Sequence, residues 1–199
     1  MKKYILYKIA RPIITTYMKL FYKIEVIGKE NIISNEKNIL AGNHTSNLDA
    51  LLIISSTKNT IRFLAKKELF KGIMKPIFLK AGLIPVDRTK KDSNVKEMTL
   101  KALQNNETIC IFPEGTINRT QETIIPFKYG TVSFASKTNS YITPFVIKGK
   151  YKLFRKNISI IYLKPYKLET NNLEIENKKL MNIIKGELEK WDFGIKHLK

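Results

Sequence analysis

The stretch ILAGNHTSNLDALLII, Ile39 to Ile54, runs from an apolar segment through a polar turn into a second apolar run. Ile39 and Leu40 closing on Gly42-Asn43 suit the end of a strand, and Leu51 to Ile54 behind Ser46 and Asp49 suit the first turns of a helix. Strand followed directly by helix is the unit of a sheet covered by helices. Ser46 and Asp49 also fit the Ser-x-x-Asp form of a capping box, with the helix beginning near Ser46, and that explains the aspartate without any function. His44 is left over, because histidine is neither a strong strand former nor a cap. A neutral imidazole titrates near pH 7, and a carboxylate in the next helical turn would hold it in one tautomer. Two readings stand side by side, a helix cap and a histidine base oriented by Asp49.

Outward from this turn the same alternation recurs. YKIEVIG (22–28) reads as a first strand, KNIL leading to Ala41 as a second, TIRFLAK (60–66) as a third. GLIPVDR (82–88) is a short strand whose Pro85 places it at an edge or a strand end. Strands follow at Thr108 to Phe112, Tyr141 to Lys148 and Ile158 to Leu163. Between them lie a helical pattern over 67–80 broken by Gly72 and Pro76, a helix capped by Ser93 that carries Val95, Met98, Thr99, Ala102 and Leu103, and a helix around Tyr129 to Lys137. Leu173, Leu180, Ile183, Ile184, Leu188 and Trp191 mark a C-terminal amphipathic helix. The expectation is an α/β fold with a mainly parallel or mixed central sheet flanked by helices. One domain over 24–199 follows an amphipathic segment over 1–23, with no internal repeat and no flexible linker.

The chain has 36 Lys and Arg against 17 Asp and Glu, a formal charge of +19, while 43% hydrophobic content excludes a disordered protein. Such an excess calls for an anionic partner: nucleic acid, a phospholipid surface or a phosphorylated substrate. The charge is concentrated in two acid-free tracts. One is residues 1–24, where Lys2, Lys3, Lys8, Arg11, Lys19 and Lys23 interleave with Ile5, Ile9, Ile13, Tyr17 and Leu20; the other lies between Glu122 and Glu169. The first tract is too charged for a membrane span and lacks the features of a signal peptide. It suits a helix lying in the bilayer interface, with Pro12 as a kink or break; the competing reading is a basic helix that covers the protein's own core. Cys110, the single cysteine, lies in the apolar run TICIF and reads as a buried thiol of a reducing compartment.

Ligands of open α/β sheets bind beyond the carboxyl ends of the strands. Three segments there carry chemistry: NHTSNLD after the second strand, Asp87-Arg88 after the fourth and FPEGT (112–116) after the fifth. Together they offer a histidine base, a guanidinium able to bind phosphate and a Glu-Gly-Thr turn with backbone N–H groups, a set suited to acyl transfer onto a phosphorylated alcohol. In the bland reading Arg88 is a solvated strand-end charge and Pro113 to Thr116 a plain turn.

Taken in order, NHTSNLD, GLIPVDR, FPEGT and ITPFVI, the last with Pro144, resemble the four sequence blocks of the glycerolipid acyltransferases, and more narrowly the bacterial 1-acylglycerol-3-phosphate acyltransferase family. EVIGKENI before the first block and FKYGTVSFA (127–135) after the third extend the resemblance over roughly residues 24 to 150. It implies that His44 is the general base for the acceptor hydroxyl and that Asp49 orients and charge-stabilises the imidazole. It further implies that Arg88 holds the acceptor phosphate and that Glu114, Gly115 and Thr116 line the acceptor pocket, with Lys128 a second phosphate candidate. The donor would be an acyl thioester, acyl-coenzyme A or acyl-carrier protein, the acceptor a lysophosphatidate, and no metal or other cofactor is implied. The family usually continues its third block with Arg-Ser, whereas Ile117 and Asn118 stand here. Either Arg119 or Lys128 takes over that contact, or the acceptor headgroup differs, as it would for another lysolipid or glycerol-3-phosphate.

Substrates of this kind place the protein on the cytoplasmic face of the cell membrane, peripheral or monotopic, with the phospholipid surface as partner. A nucleic-acid-binding protein is the competing class, but no nucleic-acid motif accompanies the charge, and the basic clusters interleave with aliphatic residues as those of membrane binders do. A catalytically idle lipid-binding relative is disfavoured by the intact His44 and Asp49. His197 reads as surface, and the pairs Phe21-Tyr22 and Tyr151-Phe154 as packing.

Overall fold

The computed structural model describes residues 4–87, 93–155 and 157–196. Its strands are β1 (Glu25–Ile27), β2 (Asn38–Gly42), β3 (Ile61–Lys66), β4 (Ile84–Val86), β5 (Thr108–Ile111), β6 (Tyr141–Gly149) and β7 (Ile158–Tyr162). They form one sheet in the order β1-β7-β6-β2-β5-β3-β4. β6, β2, β5, β3 and β4 run parallel, while β7 is antiparallel to β6 and carries β1 parallel to itself. The sheet is therefore mixed, and Pro85 sits on the edge strand β4, where its missing N–H costs no ladder bond. The carboxyl ends of the five parallel strands share one rim.

Alternate side chains of the central strands feed two cores. Ile39, Ala41, Ile109, Ile111, Ile142 and Val146 meet α4 (Ser93–Gln104), α5 (Gly130–Thr138) and α6 (Leu173–Lys196) through Val95, Leu103, Val132, Ala135, Leu180 and Ile184. Leu40, Cys110, Phe145 and Ile147 point the other way, onto Met18 and Tyr22 of α1 (Ile5–Tyr22) and Leu52 and Ile53 of α2 (Asp49–Ser56). This period of two, buried on both faces, is what places helices on each side of the sheet. α6 is also tied by charge: Lys148 Nζ, buried in β6, lies 2.8 Å from Glu187 Oε1, so one lysine of the second basic tract serves the interior. That contact, with Lys190, holds the Glu187 carboxyl below its ordinary value despite the opposing effect of burial.

Several boundaries differ from the sequence expectation. The first strand does not begin at Tyr22, because α1 continues through that buried residue and ends at Lys23, which is left-handed at φ 46°. Pro12 lies inside α1 without ending it: proline removes a single N–H bond, while Tyr7, Met18 and Tyr22 anchor the helix on both sides. Arg11 Nε donates to Thr57 O at 2.7 Å and Tyr7 Oη to Asn59 O at 3.3 Å, tying α1 to the end of α2. One face of α1 thus covers the core, while Ile5, Ile9, Ile13 and Leu20 on the rest of its surface are exposed. The 67–80 pattern resolves into a 3-10 turn at Lys67–Leu69 and the short helix α3 (Met74–Lys80). Only half of the expected capping box forms. Asp49 accepts from the Ser46 N–H at 2.9 Å, but Ser46 Oγ accepts from the Leu48 N–H at 3.2 Å, and α2 begins at Asp49 with no side-chain cap. Among the described residues no helix is long and apolar enough to cross a membrane.

Gly42 ends β2 opposite Phe145 of β6, and a Cβ there would lie 2.4 Å from both the Phe145 ring and its carbonyl oxygen. Because backbone as well as side chain would have to shift, Gly42→Ala should destabilise the protein by about 2–3 kcal/mol, read as a lower urea midpoint at unchanged slope.

Candidate active site

The turn between β2 and α2 is built around Asp49, whose side chain has no exposure to solvent. Its Oδ2 accepts from the Thr45 N–H at 2.6 Å, the Ser46 N–H at 2.9 Å and His44 Nδ1 at 2.8 Å; its Oδ1 accepts from Thr45 Oγ1 at 3.1 Å and Tyr151 Oη at 2.7 Å. A buried carboxylate is stable only with such a set of donors. Burial and, next, the facing Asp49 charge push the Tyr151 phenol far above the usual tyrosine range, so it keeps its proton and donates. The geometry also fixes the histidine tautomer: a carboxylate only accepts, so Nδ1 carries the proton and Nε2 is left as the basic nitrogen. His44 retains 15% exposure, enough for a reactant to reach it.

His44 is fixed from three further directions. Its N–H donates to Glu114 Oε1 at 2.8 Å, its carbonyl accepts from the Asn118 N–H at 2.8 Å, and its ring stacks on Phe112 with centroids 4.0 Å apart and planes 12° apart. Asn43 extends the sheet past Gly42: its side chain exchanges two hydrogen bonds with the Ile147 backbone, at 2.9 and 2.8 Å. Glu114 is itself buried, and its Oε2 accepts from the Ile125 N–H at 3.2 Å. The resemblance implies a pocket wall, but the contacts seen are those of a residue that orders the loop. Burial raises the Glu114 carboxyl above its ordinary value, and the two N–H donors offset this only in part.

Beside Phe112 opens an apolar groove of about 240 Å³, lined by Leu64, Val86, Ile111, Phe112, Pro113, Gly115, Lys128, Gly130, Thr131 and Phe134. Gly115 has φ +71°, and its Cα faces the Lys128 stem so closely that a Cβ would lie 2.8 Å from Cε and Nζ. Lys128 thus runs along the groove wall, while Thr116 and Arg119 are exposed on the following loop. Arg88 lies outside the described residues, as does His197; its neighbour Asp87 lies 3.6 Å from Lys67 Nζ beside the end of β4. Cys110 is buried on the α1–α2 side, where burial and then the Asp49 charge push its thiol up, so it is no nucleophile.

The sequence matches the acyltransferase family model over residues 23–148, a span that holds the dyad, the Glu114 loop and the groove. The chain belongs to the acyltransferase family. It is 30% identical over 178 residues to a Borreliella burgdorferi protein named 1-acyl-sn-glycerol-3-phosphate acyltransferase, covering 84% of this chain and 71% of that one. A Bacillus subtilis protein of the same name is 29% identical over 156 residues, 76% and 77% of the two chains. The crystal structure of PlsC from Thermotoga maritima, titled a 1-acyl-sn-glycerophosphate acyltransferase, shares the fold at a TM-score of 0.71 and 22% identity, over 93% of this chain and 82% of that one. The expected α/β acyltransferase fold is therefore present, with His44 and Asp49 in contact.

Three contributors to this acyltransferase's site escaped the sequence reading. The motif gives Asn43 no role, treats Phe112 only as the start of FPEGT and leaves Tyr151 as packing. The rule that pointed to the ends of the second, fourth and fifth strands points equally to the end of β6, two residues before Tyr151.

His44→Ala should lower kcat by roughly 10²- to 10⁴-fold with the thermal midpoint nearly unchanged, and Asp49→Asn should also lower it, as steady-state kinetics on folded variants would register. Glu114 supplies a test with a sign. A carboxyl held above its unfolded value binds protons more tightly in the folded chain, so its contribution to stability is full at low pH and is lost as pH rises from 4.5 through the raised value. Glu114→Gln cannot ionise, and urea titrations across that window should show the decline flattened in the variant relative to wild type.

Proposed function

We propose that this acyltransferase moves a fatty acyl group from an acyl thioester of coenzyme A or acyl carrier protein to the free hydroxyl of 1-acylglycerol-3-phosphate. The observation that carries the reading is the imidazole with Nδ1 on Asp49 and Nε2 left basic, stacked on an aromatic ring that also lines an apolar groove. Nε2 takes the proton as the acceptor oxygen attacks the thioester carbon; collapse breaks the C–S bond, and the imidazolium returns the proton to the leaving thiolate. No covalent enzyme intermediate is needed, since the thioester is already activated. The names of the Borreliella burgdorferi and Bacillus subtilis relatives support lysophosphatidate as acceptor.

For the acceptor phosphate the favoured cation is Lys128. It borders the groove at the start of α5, whose first turn has no side-chain cap, and the buried Thr131 Oγ1 has no partner among the described residues. Uncapped N–H groups, a hydroxyl and an ammonium together form a site for a phosphate. Arg119 is exposed on the loop that reaches His44 through Asn118, and Arg88 keeps the role that the resemblance gives it.

The lipid substrates place the working enzyme at the cytoplasmic surface of the cell membrane. Exposed Ile5, Ile9, Ile13 and Leu20 of α1 form its apolar contact. α3 packs on α1; Met74, Ile77 and Leu79 of α3 and the preceding Ile73 are exposed, and α3 also carries Lys75 and Lys80. Apolar side chains enter the interface while lysines meet anionic headgroups.

Incubation of the purified protein with lysophosphatidate and each thioester should yield phosphatidate; no product with either donor would refute the reading. Lys128→Ala should raise KM for the lysolipid by roughly ten-fold and leave that for the thioester within about two-fold. Ile9→Glu/Ile13→Glu, which spares the core residues Met18 and Tyr22, should abolish sedimentation with anionic vesicles while wild-type binding falls only partly in high salt; vesicle binding equal to wild type would place the anchor elsewhere.

A further inference from the structure

Tyr151 reaches the dyad from the connection between β6 and β7. It follows β6, the strand beside β2 in the sheet, so it stands on the same rim as His44. Its hydroxyl meets Asp49 Oδ1 at 2.7 Å, on the carboxylate oxygen opposite the one that holds His44 at 2.8 Å. Among the described residues, Oδ1 otherwise receives only the longer bond from Thr45 Oγ1, at 3.1 Å. The Tyr151 ring is set edge-on to Tyr22 of α1, with centroids 5.6 Å apart and planes at 89°, and Tyr22 is core. The phenol therefore approaches Asp49 on a fixed ring, with little rotamer freedom to lose. In that position it restrains rotation of the carboxylate and withdraws part of its charge from the imidazole, both of which bear on the proton affinity of Nε2.

We propose that Tyr151 is a positioning residue for acyl transfer, holding Asp49 through one carboxylate oxygen while the other holds His44. The proposal rests on the acyl-transfer reading above. It adds a third side chain to the dyad, supplied from outside the sequence blocks and from the β6–β7 connection. The exposed Leu153 and Phe154 lie two and three residues further along the same connection, and Phe154 packs on Phe21 of α1 with centroids 5.5 Å apart. The segment that carries the phenol is thus pinned to α1 at Tyr151 and again at Phe154.

Tyr151→Phe keeps the ring against Tyr22 and removes only the hydroxyl; Tyr151→Leu removes both. In this chain, Tyr151→Phe should lower kcat on the order of ten-fold, with both KM values within about two-fold of wild type and a modestly lower thermal midpoint, because a buried carboxylate loses one donor. Loss of the donor leaves more negative charge facing the imidazole, so imidazolium is favoured and the acid limb of kcat, together with the His44 ¹⁵N titration, should move to higher pH. Tyr151→Leu, which also loses the ring contact to Tyr22, should lower the thermal midpoint further. An active wild type alongside a Tyr151→Phe variant with the same kcat and the same His44 titration would overturn this inference and leave the functional reading standing. So would a loss of kcat with an unmoved titration, which marks a structural role. A folded wild type without acyl transfer would overturn the functional reading, whereas a moved His44 titration in Tyr151→Phe would still support Tyr151 as the group that sets the dyad.

Discussion

A carboxylate buried without exposure to solvent is the constraint around which this active site is organised. Asp49 would be severely destabilising there unless donors replaced its water shell, and five groups do so. Two are backbone N–H groups of the turn itself, which explains why Thr45 and Ser46 fold back before α2 begins. One is the neighbouring Thr45 hydroxyl, one is His44, and one arrives from the far end of β6. Satisfying the charge and aiming the imidazole are thus the same structural act: the turn conformation that shelters Asp49 also presents Nδ1 to it and leaves Nε2 available.

A second buried carboxylate does for the backbone what Asp49 does for the ring. Glu114 leaves β5 and reaches across to the N–H of His44, while the Asn118 N–H takes the His44 carbonyl. Both polar groups of the His44 main chain are spent on the loop after β5, which welds two rim segments separated by 70 residues. Burial and the Asp49 charge make Glu114 harder to ionise, and the His44 and Ile125 N–H groups work against that. The site carries this electrostatic tension in exchange for a histidine whose backbone is held at both its N–H and its carbonyl.

The excess of basic residues is divided between different tasks. Lys148 is buried against Glu187 and holds α6, whereas Lys128 lies along the groove at Gly115 and faces solvent. Arg11, counted among the cations of the amphipathic segment, spends its Nε on the Thr57 carbonyl at the end of α2. α1 is likewise not given over to one role. It contributes Met18 and Tyr22 to the core, as the core-cover reading has it, and keeps its aliphatic stripe outside, the face on which the proposed membrane contact rests.

The sequence by itself determined the alternation of strands and helices and the burial of Cys110, limited Pro85 to an edge or a strand end, and narrowed Asp49 to a helix cap or a partner of His44. Each of these follows from periodicity, from a residue's own conformational limits or from a five-residue separation, all of which are local. The length of α1, the replacement of the capping box by a tighter turn, the part played by Glu114 and the arrival of Tyr151 were decided only by the tertiary structure. Pro12 is a helix breaker on its own account, and it is tolerated because residues on either side of it are held by packing. Ser46 and Asp49 satisfy a cap pattern in isolation, yet the aspartate's oxygens are claimed by donors that only folding brings near, one of them 102 positions away in the chain. Contacts of that kind have no period and no spacing, because strand order in a parallel sheet is set by how faces bury one another and not by proximity along the chain.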